Sequence, residues 1–146
     1  MEQAILLDTN VLSELMRPQP DVRVLSWFDL NNEAGYYTSA VTQAEILLGI
    51  LLLPPGKRQT GLADAAAEMF SKDFSGRCLP FDEQSAEIYA ELVAARTHTG
   101  QPISTEDAQI AAITLANHLC LATRNIKDFN GIAELVLVNP WGTIPW

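Results

Sequence analysis

Apolar positions along this chain fall into short blocks separated by longer amphipathic stretches. The first block, residues 4–7, ends abruptly at Asp8-Thr9-Asn10, which predicts a short buried strand. A brief helix is expected from about residue 11 to 16, ended by the rigid Arg17-Pro18-Gln19-Pro20. Val22, Leu25, Trp27 and Phe28 are spaced for a helix over about 21–30, and a turn then leads into a second strand at 36–39. Thr42 is expected to open a helix running to about residue 53, where Pro54-Pro55-Gly56 stops it. Further helices are predicted over about 58–74, 83–99 and 104–118, with strands at 78–79, 121–123 and 134–138 and an irregular tail from Pro140. Short apolar strands alternating with helices predict an α/β fold: a central, mostly parallel sheet of four to five strands flanked by helices.

Length and composition agree with this. The 146 residues, 48% hydrophobic and 18% charged, suit one domain over 1–146 with one core, and no internal repeat or low-complexity tract interrupts them. The start, Met1-Glu2-Gln3-Ala4, lacks a positive region, and no apolar run nears the roughly 20 residues that span a bilayer. A cytoplasmic protein with no membrane association is expected. Cys78 and Cys120 match no metal or redox spacing and read as buried thiols of a reducing compartment. The net charge of −9 counts against indiscriminate binding to nucleic acid. It does not exclude a nuclease, because a site built of carboxylates is itself negative until cations occupy it. The rest of the surplus would suit a basic protein partner.

Four acids stand out, and each has an ordinary explanation. Asp8 follows Ile5-Leu6-Leu7 directly, at the carboxyl edge of a strand, where ligands bind in parallel α/β sheets. It would equally serve as a turn residue or helix cap. Glu45 lies three residues after Thr42, the spacing of a capping box. Asp107 stands in the same relation to Ser104. Asp128, past a strand in Thr123-Arg124-Asn125-Ile126-Lys127-Asp128-Phe129, has the setting of a surface turn. Their common placement points further. Strand ends and the helix starts after them gather on one edge of such a sheet, so the four carboxylates would converge. Crowded carboxylates repel one another unless a cation intervenes, and ionised oxygen ligands suit Mg²⁺ or Mn²⁺.

Four segments resemble a known family in order and content. They are Leu6-Leu7-Asp8-Thr9-Asn10-Val11-Leu12, Ala44-Glu45-Ile46-Leu47-Leu48-Gly49, Ile103-Ser104-Thr105-Glu106-Asp107-Ala108-Gln109-Ile110-Ala111-Ala112, and Leu121-Ala122-Thr123-Arg124-Asn125-Ile126-Lys127-Asp128-Phe129, with the likeness continuing to Asn139-Pro140-Trp141. Together they resemble a PIN-domain ribonuclease of the bacterial toxin–antitoxin kind, the VapC and FitB group. The resemblance implies a Mg²⁺- or Mn²⁺-dependent endoribonuclease with Asp8, Glu45 and Asp107 as core acids and Asp128 as the fourth. It also implies a homodimer or higher oligomer and a neutralising antitoxin. In the FitB group that antitoxin resembles a ribbon-helix-helix DNA-binding protein through which the complex binds operator DNA.

Around the acids, Thr9, Asn10, Thr123 and Asn125 would supply supporting hydrogen bonds. Arg124 and Lys127 would contact the RNA backbone, unless they belong to an ordinary solvated loop. His98 and His118, near helix C-termini, read as structural or surface residues. Trp27, Phe28, Tyr36 and Tyr37 read as core or interface. Trp141 and Trp146 would either mark a partner surface or pack back on the domain. The run 46–53, apolar nearly all round, is expected to be buried, in part at a dimer contact, with another backbone close to Gly49. Two rivals remain. A Mg²⁺-dependent phosphatase using Asp8 as nucleophile would want a second Asp where Asn10 stands. A non-catalytic PIN-fold binding module would not need all four acids intact.

Overall fold

The computed structural model of the chain describes residues 3–142. The chain alternates between strand and helix: β1 (Ala4–Leu7), α1 (Thr9–Leu15), α2 (Val22–Leu30), β2 (Gly35–Ser39), α3 (Ala40–Leu51), α4 (Lys57–Glu68), β3 (Cys78–Leu79), α5 (Glu83–His98), α6 (Thr105–Ala116), β4 (Cys120–Ala122), α7 (Ile126–Phe129) and β5 (Leu137–Val138). A π-helical turn, Met69–Asp73, extends α4.

The five strands form one sheet in the order β3-β2-β1-β4-β5, and every pairing is parallel. β1 lies at the centre. Ile5 is opposite Tyr36 on one side and Cys120 on the other. Successive strand residues face opposite sides, so β1 feeds two cores. Ile5 and Leu7 join Val11, Val24, Trp27, Ile46, Ile50, Met69 and Phe74. Leu6 joins Leu92, Ala108, Ile110, Ile113, Leu121 and Phe129. Sandwiching on both faces explains why β1 and β4 read as unbroken apolar runs.

After β1 the chain builds β2 and β3 outward on one side, then returns to add β4 and β5 on the other. The order therefore reverses between β1 and β4. In an open α/β sheet, that reversal leaves a crevice outside the carboxyl ends of the two strands. Asp8 follows β1 there, and Thr123 follows β4.

Several boundaries differ from the sequence reading, and one difference matters chemically. α3 starts at Ala40, capped by Ser39, whose hydroxyl accepts the Thr42 amide at 3.1 Å. Thr42 is therefore inside the helix and buried, not at its cap. Glu45 falls in the second turn and has no capping duty. The apolar run after it is only half buried: Ile46 and Ile50 face the core, whereas Leu47, Leu48, Leu51 and Leu52 are exposed. A Cβ on Gly49 would meet nothing within 4 Å, so no neighbouring backbone of this chain requires that glycine.

Trp27, Phe28 and Tyr36 stack together, with ring centroids 4.9–6.0 Å apart, as an aromatic corner of the first core. Tyr37 lies under the Arg77 guanidinium. Trp141 packs back onto the domain and is buried, while Trp146 lies outside the described residues. Both cysteines are free; Cys120 is buried and Cys78 only half-buried. His98 and His118 are exposed at the ends of α5 and α6. No helix among the described residues is long and apolar enough to cross a membrane.

Candidate active site

Asp8 is the most constrained member of the site. Its main-chain N–H donates to Ala122 O at 2.9 Å, which holds it at the end of the β1–β4 ladder. One carboxylate oxygen, Oδ1, accepts the Thr9 amide at 2.8 Å as α1 begins. The other, Oδ2, accepts the Thr123 hydroxyl at 2.7 Å and, more weakly, Asn10 Nδ2 at 3.4 Å. Asp8 thus caps α1 through one oxygen and is tied to the end of β4 through the other.

Glu45 reaches the same place from α3. Its Oε1 accepts the Thr9 hydroxyl at 2.6 Å, and Thr9 Oγ1 also stands 3.0 Å from Thr42 Oγ1. The buried Thr42 was not marked by the sequence pattern as anything but a cap. Here it steadies the threonine that orients Glu45. Asp107 is placed by α6, capped by Ser104, whose hydroxyl accepts the Asp107 amide at 3.2 Å.

Asp8, Glu45 and Asp107 line one open cavity of about 510 Å³, together with Thr9, Asn10, Arg17, Arg124, Asn125 and Trp141. Asp128 is not on its wall. It sits on α7 at the exposed margin, close enough for its charge to raise the Asp107 pKa. Lys127, beside it, is exposed and also off the wall. A larger cavity of about 690 Å³ lies between α5 and residues 131–136 and contains none of the four acids.

Electrostatics tie the acids together. Asp8 is 3% exposed. Its burial, with smaller contributions from the charges of Asp107 and Glu45, pushes its pKa up to about 6 against the opposing hydrogen bonds from Thr123 and Thr9. Asp107 is raised as well, mainly by burial and then by Asp128, Glu45 and Glu106. Among the described residues, no ion pair neutralises Asp8, Glu45 or Asp107. Three carboxylates that repel one another without a basic partner form a site short of positive charge.

The donor set fits a small, hard divalent cation. Among the described residues, no three Asp, Glu, His or Cys side chains stand close enough to enclose a metal ion unaided. An open arrangement of carboxylates suits Mg²⁺, which keeps several waters and takes one or two protein oxygens.

The remaining side chains frame this centre. Asn10 Oδ1 accepts the Arg124 amide at 3.2 Å, and Thr123 Oγ1 accepts the Asn125 amide at 3.1 Å, which fixes the turn after β4. The Arg124 guanidinium lies 5.0 Å over the Trp141 ring, a cation–π contact at the cavity rim. Arg17 lines the same cavity and pairs with the buried Glu14 at 3.2 Å.

Comparison with known proteins settles the family. The sequence pattern of the PIN domain matches residues 5–135. The chain belongs to the PIN-domain family. Among PIN-domain relatives, it is 44% identical to Toxin FitB of Neisseria gonorrhoeae over 138 residues, 94% of this chain and 98% of that one. It is 39% identical over 137 residues to a Sinorhizobium fredii protein named VapC ribonuclease Y4jK, covering 94% and 97% of the two chains. A solved structure of FitAB bound to a DNA fragment superposes with a TM-score of 0.85 at 40% identity, covering 97% of this chain and 98% of that chain. The PIN domain accounts for the central parallel sheet and its flanking helices.

Proposed function

We propose that this PIN domain is a divalent-metal-dependent endoribonuclease and the toxin of a toxin–antitoxin pair. One observation carries the chemistry. Asp8, Glu45 and Asp107, distant in sequence, line a single cavity at the reversal of strand order, with no ion pair to offset their charge. The names of the relatives, toxin and ribonuclease, supply the biological class.

Asp8, Glu45 and Asp107 would hold Mg²⁺ or Mn²⁺, with Asp128 completing the set from α7, directly or through water. Such an ion supplies activation of water and charge neutralisation at a phosphodiester. The chain's own residues do the rest. Thr123 and the Thr9 amide fix the two oxygens of Asp8, and the Thr9 hydroxyl fixes Glu45. The side chains of Asn10 and Thr123 hold the turn that presents Arg124, accepting the amides of Arg124 and Asn125. Arg124, propped on Trp141, and the exposed Lys127 would contact phosphates of the RNA backbone.

The proposal extends to partners. The structure of FitAB on DNA supports a cognate antitoxin that silences this chain and carries the complex to operator DNA. A homodimer has a fitting surface on α3, where Leu51 and Leu52 are 73% and 75% exposed. The acting unit is one domain over residues 1–146, working in the cytoplasm.

The test is incubation of the purified protein with total cellular RNA in Mn²⁺, in Mg²⁺ and in EDTA, with the new 5′ ends mapped. Discrete cleavage in either metal, abolished by EDTA and by Asp107→Asn, is the expected result. Intact RNA under all conditions, or undiminished cleavage by a folded Asp107→Asn variant, overturns the reading.

A further inference from the structure

Arg96 is a buried cation, 8% exposed, on the last turn of α5. No carboxylate pairs with it among the described residues. A guanidinium taken out of water without a counter-charge is costly unless its donors are used. Here each donor group is spent on a main-chain carbonyl. Nη2 donates to Asp128 O at 2.8 Å, Nη1 to Asn130 O at 2.7 Å and Nε to Gln101 O at 3.0 Å. The Arg96 carbonyl accepts the Gln101 amide at 2.8 Å, so residue 101 is gripped from both sides.

These acceptors are not scattered. Asp128 and Asn130 belong to the end of α7 and the residue after it, and Gln101 opens the short connection into α6. One side chain therefore ties together the segment bearing Asp128 and the lead into the helix bearing Asp107. α7 packs against α6, so the segment bearing Asp128 and the helix bearing Asp107 meet at this junction. α7 has only four residues and no side-chain cap of its own. A planar fork reaching two carbonyls two residues apart defines its orientation, which an apolar side chain of equal volume would not.

We propose that Arg96 is a positioning residue of the cleavage site. It touches neither substrate nor metal, and it sets the Asp128 carboxylate against Asp107 by fixing the main chain beneath it. This rests on the reading of the acids as a divalent-cation site.

The test uses the full chain, with Mn²⁺ binding followed by calorimetry and cleavage of an RNA oligonucleotide followed as a function of Mn²⁺ concentration. Arg96→Lys keeps the charge and most of the volume but loses the fork; Arg96→Met loses both. Support arms hydrogen bonding specifically, so the Mn²⁺ dissociation constant should rise about 10-fold in Arg96→Lys and more in Arg96→Met, within the 10- to 100-fold typical of groups that orient ligands. Excess Mn²⁺ should restore part of the cleavage rate. In an Asp128→Asn background, Arg96→Lys should add less than about a 2-fold further loss, because its route of action is already gone. Met69→Ala, in the opposite core, serves as a control that lowers the melting temperature without moving Mn²⁺ affinity.

A folded Arg96→Lys variant with wild-type Mn²⁺ affinity overturns the inference, as does a full, independent loss in the Asp128→Asn background. Failure of the wild-type chain itself to bind Mn²⁺ would instead overturn the cation-site reading, and this inference with it.

Discussion

The Thr123 hydroxyl donates to Asp8 Oδ2 at 2.7 Å across 115 positions of sequence, joining the ends of β1 and β4. Both side chains are buried, so water is poorly placed to substitute for this bond. Thr123→Val keeps the shape and removes the donor. A hydrogen bond to a charged group contributes about 1.5–3 kcal/mol, and leaving the carboxylate short of a donor forfeits most of that at neutral pH. The variant should unfold more easily by about this amount in denaturant titrations at pH 7.5. Its RNA cleavage should fall about 10- to 100-fold if Asp8 is a metal ligand.

Asp8 also makes the metal-free protein sensitive to pH. Its folded pKa of about 6 lies above the ordinary 3.8, so the folded state holds this proton more tightly than the unfolded state. Stability is then greatest near pH 4 and declines as pH rises through about 6, above which it levels off. The difference amounts to about 3 kcal/mol, at about 1.4 kcal/mol per pH unit. Asp107 acts in the same direction, whereas Asp21, lowered to about 2 by Arg23, acts in the opposite direction and only below about pH 4. Urea unfolding in EDTA from pH 4 to 8 should trace this decline. Asp8→Asn should flatten it and stabilise the chain at pH 7, while removing any stabilisation by Mn²⁺. A parallel decline in the variant would reject the assignment.

Ser39 and Glu45 separate stability from activity. Ser39 caps α3, so Ser39→Ala should cost about 1 kcal/mol in thermal or chemical unfolding. Glu45→Gln should barely change stability, because Glu45 caps nothing and the amide oxygen still accepts from Thr9. It should nevertheless cut metal-dependent cleavage by at least about 10-fold. A large stability loss in Glu45→Gln would mean that the charge of Glu45, and not only its acceptor oxygen, supports the fold.

Arg124 is proposed to hold RNA through phosphate alone. Arg124→Ala should therefore weaken binding of unrelated RNA oligonucleotides to a similar extent. It should also reduce the dependence of log affinity on log salt by about 0.7 for one lost single-strand contact. Fluorescence anisotropy across a salt series in Ca²⁺ measures both.

The leucines on α3 are proposed to bury one another between two copies. Leu51→Glu with Leu52→Glu should convert a dimer to a monomer in light scattering without lowering cleavage by more than a few-fold. An unchanged mass would place the dimer contact elsewhere.

Much of the architecture was legible in the sequence because buried parallel strands leave an unmistakable trace. Ile5-Leu6-Leu7 followed at once by Asp8 marks both a strand and the edge where it ends. The helices α1 to α6 were found from their apolar spacing, with ends displaced by up to two residues when the π-helical turn is counted with α4, but α7, which carries Asp128, was read as a turn. Where patterns overlap, the reading failed. Ser39 and Thr42 are both good caps three residues apart, and only the main-chain path shows that Ser39 is the cap. Leu47, Leu48, Leu51 and Leu52 look like core by hydropathy, but a helix that docks along one line can bury only Ile46 and Ile50. Asp128 was read as a fourth acid beside three core ones, and it stands at the margin of their cavity. Arg96 gave no signal at all, because its partners are carbonyl oxygens that every residue possesses.

The central place of β1 has a consequence for how this chain comes into being. The strand made first must wait for the one made nearly last, since β1 pairs with both β2 and β4. While only the first hundred residues have left the ribosome, Asp8 and Glu45 exist, but Asp107, Thr123 and Asp128 do not. Contacts of such sequence separation close late in folding. An enzyme proposed to destroy RNA is thus harmless to the message that is still encoding it.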